Sequence, residues 1–151
     1  MLNNAFEGYN ACLFAYGQTG SGKSYSIVGY GENKGIVPRA CDEIFKRIKV
    51  LQDDQQAKKI ECQVTVSMIE IYNEKVQDLF VTANKRPKEG LRVREHPTKG
   101  VFVEGVSDVP VSSYEEIDNQ FRVGNENRTI GQTQMNATSS RAHTVNRIIF
   151  K

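Results

Sequence analysis

The chain has 151 residues, enough for one compact domain with a core of its own. Its 20 Lys and Arg against 18 Asp and Glu leave a net charge of +2, which argues against wholesale nucleic-acid binding and leaves local patches open. Cys12, Cys41 and Cys62 are odd in number, widely spaced and without a C-x-x-C pair. They signal neither a disulfide framework nor a zinc site, and reduced thiols in a cytosolic protein are the simplest reading. The longest apolar run, residues 11–16, is far too short for a transmembrane segment, and Leu2-Asn3-Asn4 after Met1 has no signal-peptide pattern.

Residues 11–16, ACLFAY, are apolar throughout, as in a strand covered on both faces of a parallel sheet. The run leads straight into GQTGSGKS, residues 17–24, which fits G-x-x-x-x-G-K-[ST] with Gly17, Gly22, Lys23 and Ser24 at the fixed positions. A chance match in a chain of this length is on the order of one in a few hundred from average residue usage. Small residues let the backbone fold tightly with its N–H groups aimed at phosphate oxygens. The following helix, read to about Val28 and ended by Gly29, adds its unpaired N–H groups. Lys23 supplies a compact mobile cation, and Ser24 an oxygen suited to Mg²⁺.

YGENKG, residues 30–35, reads as a turn-rich loop. Val37, Ala40, Cys41, Ile44, Ile48 and Leu51 then recur at steps of three and four, an amphipathic helix with Pro38 in its first turn. DDQQAKK, residues 53–59, reads as a solvated connection. A long strand follows, with Cys62, Val64, Val66 and Met68 along one face and Ile69 and Ile71 on the other. Tyr72-Asn73-Glu74 turns the chain and VQDLF packs back. Residues 84–100 carry Lys85, Arg86, Lys88, Arg92, Arg94 and Lys99, with a hairpin expected around LRVRE and GVFVEGV. Ser113-Tyr114-Glu115-Glu116 is a capping box opening a helix to about Asn127. TQMNATSSRAH reads as a polar connection and HTVNRIIFK as a last strand. His96 and His143 lack metal-ligand spacing, and Glu70 reads as a strand residue with a structural partner.

NATSSRAH, residues 136–143, offers neutral donors and acceptors in Asn136, Ser139 and Ser140 and a fixed cation in Arg141. Nucleotide hydrolysis needs such a segment to sense the terminal phosphate and hold Mg²⁺ and water. Read alone, the same composition describes an ordinary polar loop.

Together these elements resemble the kinesin motor domain. The family pattern GYNxxxFAYGQTGSGKT/S appears as GYNACLFAYGQTGSGKS over residues 8–24, EIYNExVxDLL as EIYNEKVQDLF over 70–80, and NxxSSRSH as NATSSRAH. The glycine spelling and the GIVPRACDEIF segment look most like the transporter, or kinesin-three, branch. The resemblance implies a P-loop-type α/β fold, with a mixed, mainly parallel central sheet and helices on both faces. It implies ATP and Mg²⁺ as cofactors. Gly17, Gln18, Thr19, Gly20, Ser21, Gly22 and Lys23 would surround the phosphates, Ser24 and Ser140 would ligand Mg²⁺, and Tyr25 would place a ring against the adenine. Asn136 and Ser139 would sense the terminal phosphate or position water, and Arg141 would pair with a glutamate of switch II. The basic stretch 84–100 would touch the acidic microtubule surface, although a solvated charge run has the same appearance.

Ala142 replaces the last serine of SSRSH and removes one hydroxyl. The family's DLAGSE motif, its first strands with the R-x-R-P segment, its main microtubule-binding helix and its neck linker are not matched in these residues. The chain is therefore expected to be an internal part of a motor domain. The implied function is ATP-driven movement along microtubules in the cytoplasm, with cargo or an adaptor bound through other regions. A non-catalytic fragment that binds nucleotide weakly or only contacts tubulin is the alternative, separated from the first by turnover.

Overall fold

The computed structural model describes residues 1–53, 61–98, 100–135 and 141–151, with 129–135 described by their backbone. The chain divides into two compact units, Met1–Glu61 and Cys62–Lys151. The expected connection 53–59 lies outside the described residues apart from Asp53.

The first unit begins with a short helix, α1 (Leu2–Phe6), which the sequence pattern does not announce. Arg47 holds it in place, donating to Asn3 Oδ1 at 2.7 Å and lying 5.5 Å from the Phe6 ring centroid. Residues 11–16 correct the expected buried strand. They pair with no other strand among the described residues, and Phe14 and Tyr16 are 81% and 96% exposed. An apolar run becomes a parallel strand only when neighbours pair with both of its edges and helices cover its faces. Its composition sets the tendency and cannot supply the partners.

The loop 17–22 follows, then α2 (Lys23–Ile27), which ends where expected, at Gly29 with φ +83. Residues 30–35 are more ordered than a loop: β1 (Gly29–Tyr30) and β2 (Asn33–Lys34) form a tight antiparallel hairpin. A Cβ on Gly29 would lie 2.0 Å from the Asn33 carbonyl oxygen, so this close approach requires glycine. Helix α3 (Ile36–Asp53) confirms the amphipathic reading, with Cys41, Ile44 and Ile48 buried.

The second unit is organised around β3 (Val64–Tyr72). On one edge it pairs with β8 (His143–Phe150), from Val64↔Phe150 to Ile71↔His143. The other edge is shared by β7 (Val109–Val111) at Val64–Val66 and β4 (Lys75–Asp78) at Ile69–Tyr72. All strand pairings described are antiparallel. The parallel part of the expected sheet is thus not made by these residues. Asn73 and Glu74, at φ +47 and +63, form the two-residue turn from β3 to β4.

Helix α4 (Tyr114–Met135) lies over the sheet face that carries Val66 and Met68. A Cβ on Gly124 would be 2.4 Å from Met68 Sδ, and Phe80 and Phe121 rings meet at 6.5 Å. Ser113 caps the helix as expected, its Oγ accepting from the Glu116 N–H. The Glu116 carboxylate reaches Ser112 N and Oγ at 2.7 and 2.9 Å, one residue upstream of the expected box. The helix runs past Asn127 to Met135, because neither proline nor an αL glycine stops it.

The expected hairpin is β5 (Val93–His96) with β6 (Gly100–Val103), preceded by a short 3-10 turn (Ala83–Lys85) and by Leu91, which bridges to Val76. The basic stretch is not uniform. Arg94 pairs with Glu104 at 3.1 Å, Lys75 donates to the Lys88 carbonyl, and Arg86 turns inward, while Lys85, Lys88 and Arg92 remain exposed.

Candidate functional site

The loop 17–24 has the backbone that its residue types require. Gly20 and Gly22 stand at φ +84 and +87, in the left-handed region that a side chain would strain. Nothing lies within 4 Å of where a Cβ would be at either position, so the loop presents open concave backbone there. A Cβ on Gly17 would instead meet Ser21 Oγ at 2.4 Å, a contact that keeps this position small. The Ser21 N–H donates to the Gln18 carbonyl at 3.2 Å and closes the turn.

Lys23 opens α2 and folds back over the loop. Its ammonium donates to the Gly17 and Gln18 carbonyls at 2.7 and 2.8 Å. These charge-assisted bonds fix the cation at the mouth of the loop, and an ammonium has a third proton to give. Thr19 and Ser24 are exposed, which leaves the Ser24 hydroxyl free to meet a ligand. Tyr25 is half exposed and its ring is 6.2 Å from that of Tyr30, tilted by 35°. The Tyr30 side chain, on the small hairpin, is a neighbour that the motif did not identify.

Asn136, Ser139 and Ser140 lie outside the described residues. Arg141 is described, and its guanidinium carbon is 5.9 Å from the Tyr72 ring centroid, within cation–π reach. The β3–β8 register brings this about: Ile71 faces His143, so Tyr72 and Arg141 meet at one end of the sheet. Two residues far apart in sequence thus share one place in the second unit. Glu70 is buried on β3, opposite Gln77 and Thr144; burial lowers the Arg86 pKa, and the Glu70 charge opposes that shift. It is a strand residue with an electrostatic partner, as expected.

His96 Nδ1 accepts from the Thr98 N–H at 3.2 Å and so serves a turn, and His143 begins β8. Among the described residues no cluster of His, Cys, Asp or Glu could hold a metal ion, and no helix is long and apolar enough to cross a membrane. Cys12, Cys41 and Cys62 form no disulfide.

A sequence model described as the kinesin motor domain matches residues 1–151. Kinesin-like protein KIF13A of Homo sapiens is 49% identical over 150 residues, covering 99% of this chain and 8% of that protein. Kinesin-related protein 1 of Dictyostelium discoideum is 49% identical over 150 residues, covering 99% of this chain and 7% of its own length. A solved KIF14 dimer in the two-heads-bound state, with AMP-PNP and in complex with a microtubule, is similar at TM-score 0.82 and 44% identity. That match covers 99% of this chain and 40% of the KIF14 chain. A structure of a fast kinesin is similar at TM-score 0.87 and 36% identity, over 99% of this chain and 41% of its own. The chain spans about 8% of the length of KIF13A and about 40% of the solved chains. Relatives of the kinesin-three branch stand at about 47–49% identity, in keeping with the GIVPRACDEIF segment. The P-loop-type fold is that of these structures, and the chain belongs to the kinesin motor-domain family.

Proposed function

We propose that these residues form the ATP-binding part of a microtubule-dependent motor. The observation that carries this reading is the loop itself: open glycine backbone at Gly20 and Gly22, with Lys23 already held at its mouth by two carbonyls. An anion with several oxygens fits that arrangement, and a triphosphate places its terminal groups against Lys23. The neighbour with AMP-PNP on a microtubule, and a second KIF14 structure with ADP on a microtubule, support the choice of adenine nucleotide and track.

In this reading Gly17 to Lys23 bind and orient the phosphates, and Lys23 neutralises charge that develops on them. Ser24 and Ser140 would hold Mg²⁺, which would supply Lewis-acid stabilisation of the phosphate oxygens. Tyr25, backed by Tyr30, offers an aromatic surface for the base. Asn136, Ser139 and Arg141 orient water and sense the terminal phosphate. Exposed Lys85, Lys88 and Arg92 beside β5–β6 meet acidic tubulin, with an attraction that salt weakens. The working place is the microtubule cytoskeleton of the cytoplasm, and cargo binds elsewhere in the protein. Nucleic acid is not a partner, given the near balance of charges.

The second reading is a segment that binds nucleotide or tubulin without turnover. Microtubule-stimulated ATP hydrolysis by the 151-residue chain decides between them. Turnover that rises with microtubule concentration supports the motor reading; nucleotide binding without turnover supports the second; preference for GTP with no response to microtubules refutes both.

A further inference from the structure

Asn127 is a poor helix former placed inside α4, and it is buried. Its side chain explains the placement. Asn127 Nδ2 donates to the Leu79 carbonyl at 2.9 Å, just after β4, where Leu79 is fully buried. The Asn127 carbonyl accepts from Arg86 Nη2 at 3.4 Å, across 41 residues of sequence. Arg86 also donates Nε to the Val81 carbonyl at 2.8 Å. One helical residue is therefore gripped from both sides by the segment 79–86. Burial lowers the Arg86 pKa from its ordinary value, while the charges of Glu70 and Asp78 raise it. Arg86 thus behaves as an inward anchor, unlike the exposed cations beside it.

Both sides of this contact lead somewhere. Beyond Arg86 the chain returns to β4 through Leu91, whose N–H donates to the Val76 carbonyl at 2.7 Å, and continues into the β5–β6 hairpin. Beyond Asn127, α4 continues to Met135, which precedes the 136–140 segment in sequence. We propose that Asn127 and Arg86 are positioning residues that clamp α4 to the base of the basic hairpin, so that each element reports displacement of the other. Linkage makes such coupling reciprocal. Its use, relaying nucleotide state to tubulin contact, rests on the motor reading.

Hydrogen exchange on the 151-residue chain tests the clamp. In Asn127→Ala, amides of residues 79–90 exchange about tenfold faster relative to those of β3, because the buried Leu79 carbonyl loses its donor. In Arg86→Ala, amides of residues 123–128 accelerate, and the double variant is non-additive. Acceleration confined to the substituted element in both variants overturns the clamp. If Asn127→Ala does not fold, Asn127→Ser and Arg86→Gln replace the pair and are judged by the same two outcomes. With saturating Mg·AMP-PNP, exchange in residues 93–103 shifts in the wild-type chain and stays unchanged in a nucleotide-bound Arg86→Ala chain. A hairpin that still responds in that variant overturns the proposal. Failure of the wild-type chain to bind nucleotide refutes the loop assignment instead, and the reciprocal exchange result then decides the clamp alone.

Discussion

Lys23 donates its ammonium proton to the carbonyl oxygen of Gly17 at 2.7 Å, closing the loop across six residues. A second bond to Gln18 at 2.8 Å holds the cation where the loop opens. The lysine therefore organises its own loop as well as facing outward, and both roles end together when it is removed.

Lys23→Ala is expected to lower affinity for Mg·ATP by at least about a hundredfold, since charge-assisted bonds of this kind are worth roughly 1.5–3 kcal/mol each. Isothermal calorimetry against the wild-type chain checks it. Unchanged affinity removes Lys23 from the site.

Gly124→Ala sets two effects against each other. Alanine favours the helix by about 1 kcal/mol, while overpacking costs about 1–3 kcal/mol. The new Cβ would lie 2.4 Å from the sulfur of Met68, which is buried in the sheet and has little room to yield. Net destabilisation of about 1 kcal/mol is expected in urea unfolding; a stabilised protein would show that Met68 moves freely.

Glu74 occupies a left-handed position, φ +63, in the β3–β4 turn, where glycine carries no Cβ penalty. Glu74→Gly is expected to raise stability by up to about 1 kcal/mol. A lower denaturation midpoint would mean that the glutamate side chain makes a stabilising contact that outweighs its backbone strain.

Asp78 is buried at the end of β4 and accepts from the N–H groups of Phe80 at 2.8 Å and Ser107 at 2.7 Å. Asp78→Ala leaves both donors without their acceptor and is expected to cost about 2–3 kcal/mol. Asp78→Asn, which keeps one acceptor oxygen, should lose less. Equal losses in thermal melts would show that volume, rather than hydrogen bonding, sets the effect.

The geometry of the loop 17–24 was legible because it is local. Gly20, Gly22 and Lys23 act through φ angles and a cation within a few residues, and such constraints leave a spelling. The amphipathic face of α3 was legible for the same reason: Cys41, Ile44 and Ile48 obey helical spacing whatever they pack against. The length of α4 was misjudged, since neither proline nor a left-handed glycine marks a stop at Asn127 and the helix continues to Met135. Arg86 looked like one more surface cation in a basic run. It bonds the Asn127 carbonyl and feels the Glu70 charge, and no spacing rule connects either residue to it.

From residue order alone come the glycine-rich loop 17–24, the family pattern and the periodic elements, because each rests on contacts between near neighbours in sequence. The tertiary structure decided that Tyr72 meets Arg141, that Arg86 turns inward to Asn127, and that residues 11–16 pair with no strand among the described residues. Those outcomes depend on which distant strands and helices are available to pair, and pairing energy is a property of two surfaces that a single segment does not contain.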